Sequence, residues 1–177
     1  MIKNISAQPF IIWFTGISGS GKTALSLFCK KKIKYKIKVI DGDLFRKKLS
    51  NFNYDLESRE KIGYKKALFA KKLYKQGYSV IVSGIGHKKK WRKKIRKIIA
   101  IDNYFEIYLK CPINICRIRK KKFYEKFNTK QIVGQSGEKF KYEEYKECDL
   151  KILTHKFTLN ESFKKIFNFL KKKYEII

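Results

Sequence analysis

At 177 residues with 44% hydrophobic side chains, the chain suits one domain, residues 1–177, with its own core. No stretch is long and apolar enough to cross a bilayer, and the N-terminal apolar run leads into a glycine loop instead of a cleavage site, which argues against a membrane protein or a signal peptide. The 44 Lys and Arg against 15 Asp and Glu leave a net charge of +29. They are spread along the chain with Lys far ahead of Arg, so compositional bias explains them better than a dedicated nucleic-acid surface does.

In chain order, the apolar run Phe10 to Phe14 predicts a buried strand of a parallel sheet. It enters Gly16-Ile17-Ser18-Gly19-Ser20-Gly21-Lys22-Thr23, which fits the phosphate-binding pattern G-x-x-x-x-G-K-[ST] at every fixed position. Glycines let backbone N–H groups turn inward around phosphate oxygens, and the helix that follows adds the positive end of its dipole. Lys22 can reach the β- and γ-phosphates, and the Thr23 hydroxyl can take a place on Mg²⁺. The pattern implies a nucleoside-triphosphate site. The first helix continues from Ala24 to Lys32, with Leu25 and Phe28 turned to the sheet.

A second strand, Lys36 to Ile40, ends at Asp41-Gly42-Asp43, the edge where open α/β sheets place their ligands. One carboxylate can help to organise Mg²⁺ and the other can accept a proton from an attacking hydroxyl. Arg46 follows one helical turn after Asp43, within reach of a substrate anion. A long amphipathic helix is predicted over Glu57 to Gln76, with Ile62, Leu68, Phe69 and Leu73 apolar and Gly77 as its cap. The β-branched run Tyr78 to Ile85 is the strongest strand and is expected at the centre of the sheet. His87, in the loop after it, is expected to be solvated.

A basic helix over Trp91 to Ala100, a strand over Tyr104 to Leu109 and a helix from Ile113 to Lys122 come next. The segment from about 117 to 146 is cationic and irregular, as suits a lid that closes over phosphates. A short strand at Leu150 to Leu153 and an amphipathic helix from Asn160 to Tyr174 close the chain. Cys29, Cys111, Cys116 and Cys148 form no CxxC pair and read as reduced thiols of a cytoplasmic protein.

With these segments in view, the chain resembles the adenylylsulfate kinase family, most of all its shorter kinase-like relatives. The likeness runs from about Phe10 to Leu153, on GISGSGKT (16–23), DGDLFRKKL (41–49), the stretch 58–85 and the stretch 105–124. It implies a P-loop NTPase fold of class α/β, three layers α/β/α around a mostly parallel five-stranded sheet, with a lid. It further implies transfer of the γ-phosphate of ATP, with Mg²⁺, to the 3′-hydroxyl of adenylyl sulfate, a step of sulfate assimilation.

On the family pattern, Gly16, Ser18, Gly19, Ser20, Gly21, Lys22, Thr23 and Ala24 hold the nucleotide, and Lys22 and Asp43 are catalytic. Thr23 and Asp43 face the metal. Asp41, Arg46, Tyr54, Arg59, Ile85, Lys122 and Ile132 belong to the acceptor side, with Lys121 an alternative to Lys122 as the lid cation. The chain departs from the pattern at Gly86, where the family has a phosphorylatable Ser, around Lys61, where it has an Asn, and at Ile132-Val133-Gly134, where it has Phe-Thr-Gly. An altered acceptor site would instead serve another activated nucleotide, such as one used in surface-polysaccharide modification. A catalytically inactive, basic RNA-binding relative is a third reading, against which the joint presence of Lys22, Thr23, Asp41, Asp43 and Arg46 argues. The implied partners are a small nucleotide and, at most, a second copy in a homodimer, with no membrane.

Overall fold

The computed structural model describes residues 8–50, 53, 55–121, 142–144 and 146–174. The elements run β1 (Ile11–Thr15), α1 (Lys22–Lys32), β2 (Ile37–Ile40), α2 (Gly42–Lys48), α3 (Leu56–Lys75), β3 (Ser79–Ser83), α4 (Lys89–Ile99), β4 (Tyr104–Lys110), α5 (Ile113–Arg119), β5 (Leu150–Leu153) and α6 (Leu159–Tyr174). The five strands form one sheet in the order β2-β3-β1-β4-β5, and every pairing is parallel. Strands of a parallel sheet are covered on both faces, so they carry continuous apolar runs, and each residue of β1 is buried.

Alternation along β1 sorts its side chains between two cores. Phe10, Ile12 and Phe14 pack with Leu25 and Cys29 of α1 and with Phe163, Ile166 and Leu170 of α6. Ile11 and Trp13 pack on the opposite face with Ala67 and Ala70 of α3 and Ile95 and Ile99 of α4. The result is the three-layer α/β/α arrangement of the P-loop fold, with β1 in the middle and β3 beside it. No helix among the described residues is long and apolar enough to cross a membrane.

Helix α3 corrects one assignment. Leu68 was expected on its buried face, yet it is 60% exposed, and the inner face is built from Ile62, Lys66, Ala67 and Ala70. The small alanines let α3 approach the sheet closely, so the bulky Leu68 is turned outward. A second buried charge lies on β4, where Glu106 pairs with Arg92 of α4 at 3.2 Å, each side chain 1% exposed. Burial raises the Glu106 carboxyl to about 7, against the opposing pull of Arg92 and Arg96.

Candidate active site

The C-terminal edge of the sheet gathers the ends of β1, β2 and β3 around a cavity of about 540 Å³. One end of it is the loop after β1. A side chain at Gly16 (φ 141°) would put its Cβ 2.5 Å from the Leu109 carbonyl oxygen, and one at Gly19 (φ 81°) would put it 2.5 Å from that of Cys116. Glycine is therefore required twice over, by conformation and by the closeness of β4 and α5. Gly21 caps α1 in the left-handed region, and no acidic residue occupies that helix's first turn, so its positive end remains available to an anion.

Lys22 Nζ donates to the carbonyl oxygens of Gly16 (2.8 Å) and Ile17 (2.7 Å). Burial, reinforced by the Lys120 ammonium, lowers its pKa from 10.5 to about 7. Thr23 Oγ1 donates to Asp41 Oδ2 at 2.7 Å. The other Asp41 oxygen caps α2 by accepting from the backbone N–H of Asp43 (3.0 Å) and Leu44 (3.2 Å). Asp41 thus ties the end of β2 to the phosphate loop. Asp43, in the first turn of α2, is exposed and lines the cavity.

Ser18, Gly19, Gly21, Lys22, Thr23, Ala24, Asp41, Asp43, Arg46, Arg59 and Ile85 all line this cavity. Gly16 and Ser20 do not. Ser20 is fully buried and its carbonyl oxygen accepts from Thr154 Oγ1 at 3.0 Å, so both residues support the loop from below. Arg46 is buried and anchored by Arg46 Nη1 to the Asn53 carbonyl oxygen at 2.7 Å. The cations contributed after α5 begins are Arg119 and Lys120, while Lys121 is exposed. Arg119 Nη2 is held by the Thr154 carbonyl oxygen at 2.8 Å. Tyr54, Lys122, Ile132 and most of the expected lid lie outside the described residues.

Several lining residues escaped sequence reasoning. His87, expected in solvent, is 1% exposed and stands edge-on to Trp91 with ring centroids 6.2 Å apart. Desolvation, then the charges of Arg59 and Lys22, lower its pKa to about 3, so the imidazole is neutral. Lys66 was one lysine among many on α3, yet it is 5% exposed and faces the cavity with Trp13 and Trp91. Only its i+4 and i+7 spacing from Ile62 and Arg59 set it apart beforehand.

Arg92 organises the wall behind His87. It donates to the Gly86 carbonyl oxygen, to that of Glu143 (2.5 Å), and lies 5.0 Å from the Tyr142 ring. Tyr142 in turn stacks on Tyr108 at 5.1 Å and hydrogen-bonds Thr15 Oγ1 at 2.8 Å.

A parallel sheet with this phosphate loop, and two carboxylates at the end of the neighbouring βα unit, defines a P-loop phosphotransferase. The adenylylsulphate kinase family matches residues 8–153. A cytidine diphosphoramidate kinase of Campylobacter jejuni is 37% identical over 149 residues, covering 82% of this chain and 86% of that protein. An adenylyl-sulfate kinase of Thermodesulfovibrio yellowstonii is 31% identical over 175 residues, covering 96% and 87%. The solved APS kinase CysC of Mycobacterium tuberculosis, in complex with AMPPNP and APS, superposes with a TM-score of 0.84 at 25% identity, covering 94% of this chain and 99% of that one. The chain belongs to the adenylylsulphate kinase family. It is a phosphotransferase of the kinase type.

Proposed function

We propose that this kinase transfers the γ-phosphate of ATP to a hydroxyl of an activated nucleotide, and that the nucleotide is of the cytidine diphosphoramidate kind rather than adenylyl sulfate. The observation that carries the first half is the single cavity joining Lys22 and Thr23 to Asp41, Asp43, Arg46 and Arg59. Asp43, open to the cavity, takes the proton of the acceptor hydroxyl as its oxygen bonds the γ-phosphorus. The bond from phosphorus to the β–γ bridging oxygen breaks, and ADP leaves. Lys22, released from the loop carbonyls, follows the charge onto the transferred group. Thr23 Oγ1 and Asp41 Oδ2, two hard oxygen ligands side by side at the phosphate loop, fit Mg²⁺, which is commonly held by one or two protein oxygens plus phosphates. Bound there, the ion would neutralise phosphate charge.

The choice of acceptor rests on two supports. Identity is higher to the cytidine diphosphoramidate kinase than to the adenylyl-sulfate kinase, 37% against 31%. The acceptor side also departs from the adenylylsulfate pattern at Gly86 and Ile132. Adenylyl sulfate is the second reading, favoured by the family match over residues 8–153. Incubation with ATP, Mg²⁺ and each acceptor in turn separates them. Turnover of cytidine diphosphoramidate well above that of adenylyl sulfate is expected, and the reverse ranking would sink the assignment.

A further inference from the structure

Two buried donors meet at the acceptor end of the cavity without enough acceptors to satisfy them. Lys66 Nζ carries three N–H bonds. Its one hydrogen bond within the described residues goes to the Ser83 carbonyl oxygen at 3.0 Å, and it lies 5.5 Å from the Trp13 ring. The indole Nε1 of Trp13 is buried and has no hydrogen-bond partner there. The two groups converge over Gly84, where an added Cβ would stand 3.0 Å from Lys66 Nζ and 3.3 Å from Trp13 Nε1. Gly42, between Asp41 and Asp43, leaves similar room, its Cβ position being 3.6 Å from the same nitrogen. The absence of side chains at both strand ends keeps the donors facing the cavity beside the two carboxylates.

A buried ammonium with unused N–H bonds is costly unless something accepts them. Desolvation and the nearby Arg46 depress the Lys66 pKa to about 8, against the opposing pull of the Asp41 and Asp43 carboxylates. A purely structural residue here would do better as a methionine, which fills the same space with no charge to desolvate.

We infer that Lys66 and Trp13 form an oxygen-binding subsite that reads the acceptor nucleotide, receiving either a pyrimidine base carbonyl or a phosphate oxygen. This rests on the reading of the cavity as an acceptor site. Cytosine presents a carbonyl oxygen where adenine has none, so the pair would favour the former if it meets the base. If it meets the phosphate, both nucleotides would use it equally.

The test loads the full-length protein with AMPPNP, to fill the phosphate loop, and titrates CMP and AMP by calorimetry. Lys66→Met is expected to weaken CMP binding about tenfold or more, since bonds to charged donors are the stronger kind. AMPPNP affinity should stay unchanged, and the melting temperature should stay level or rise, which a merely structural lysine would not allow. Trp13→Phe keeps the packing, removes one neutral donor, and should cost CMP a few-fold. A loss confined to CMP places the base carbonyl on Lys66, and an equal loss for AMP places the phosphate there. Unchanged affinities for both nucleotides overturn the subsite alone. A wild-type protein that binds AMPPNP but neither CMP nor AMP overturns the acceptor-site reading and the subsite with it.

Discussion

The two ends of the cavity are built by opposite means. At the end formed by the glycine loop, the groups are held by local backbone: glycines 16, 19 and 21 shape the loop, and Lys22 rests on carbonyl oxygens five and six residues back. At the acceptor end the groups come from distant parts of the chain. Lys66 of α3 bonds Ser83 at the end of β3, and Arg92 of α4 reaches Gly86 and Glu143. A local device survives as a contiguous motif. A site assembled across helices can change one residue at a time, which suits a family whose named relatives include both cytidine diphosphoramidate and adenylyl-sulfate kinases.

The largest effect is expected where the two ends meet. Asp43→Asn should lower turnover by about 10²- to 10⁴-fold, the usual contribution of a positioned general base, with ATP affinity largely intact. Steady-state kinetics and nucleotide titration of the variant check this, and ordinary turnover would remove Asp43 from the chemistry.

Next comes the wall of the acceptor end. Arg92→Met strands Glu106 without its buried partner, and such losses cost about 3–5 kcal/mol. The cost should be smaller at pH 5 than at pH 8. Glu106, with its folded pKa raised above the unfolded value of 4.5, takes up a proton in the folded protein on the acid side and is then neutral. Denaturant titrations of variant and wild type at both pH values measure the difference. Because Arg92 also holds the Gly86 carbonyl oxygen, the KM for the acceptor should rise more than that for ATP. An equal rise in both would deny that the two ends are separately supported.

The smallest effect sharpens the donor end. With a pKa lowered to about 7, Lys22 is mostly neutral at pH 8 in the free protein, and the phosphates of ATP should restore its proton. Calorimetric titration at pH 8 in buffers of different ionisation heat should therefore show uptake of a fraction of a proton per ATP. The uptake should vanish in Lys22→Met. No uptake in the wild type would mean that the free lysine is already charged.

The phosphate loop, the parallel sheet and the Asp-Gly-Asp turn were legible from the chain because each depends on neighbours in sequence. Apolar runs mark strands covered on both faces, and a glycine pattern marks a backbone path. The hydrogen bond from Thr23 to Asp41, the first carboxylate of that turn, joins residues 18 apart in sequence and was not foreseen. The errors fell on residues whose environment comes from elsewhere. His87 follows a strand and precedes a lysine run, and nothing local says that it will be buried beside Trp91.

By itself, then, the sequence determined the fold class and the glycine loop after the first strand, because backbone geometry and hydrophobic period are read from short segments. Tertiary structure alone decided which of many identical lysines lies on the inner face of α3, with its nitrogen between the ends of β2 and β3. It also decided that Arg92 and Glu106 meet in the interior. Burial and charge pairing belong to neighbours brought together by the fold, and a chain with 44 basic residues offers no local sign of which ones those will be.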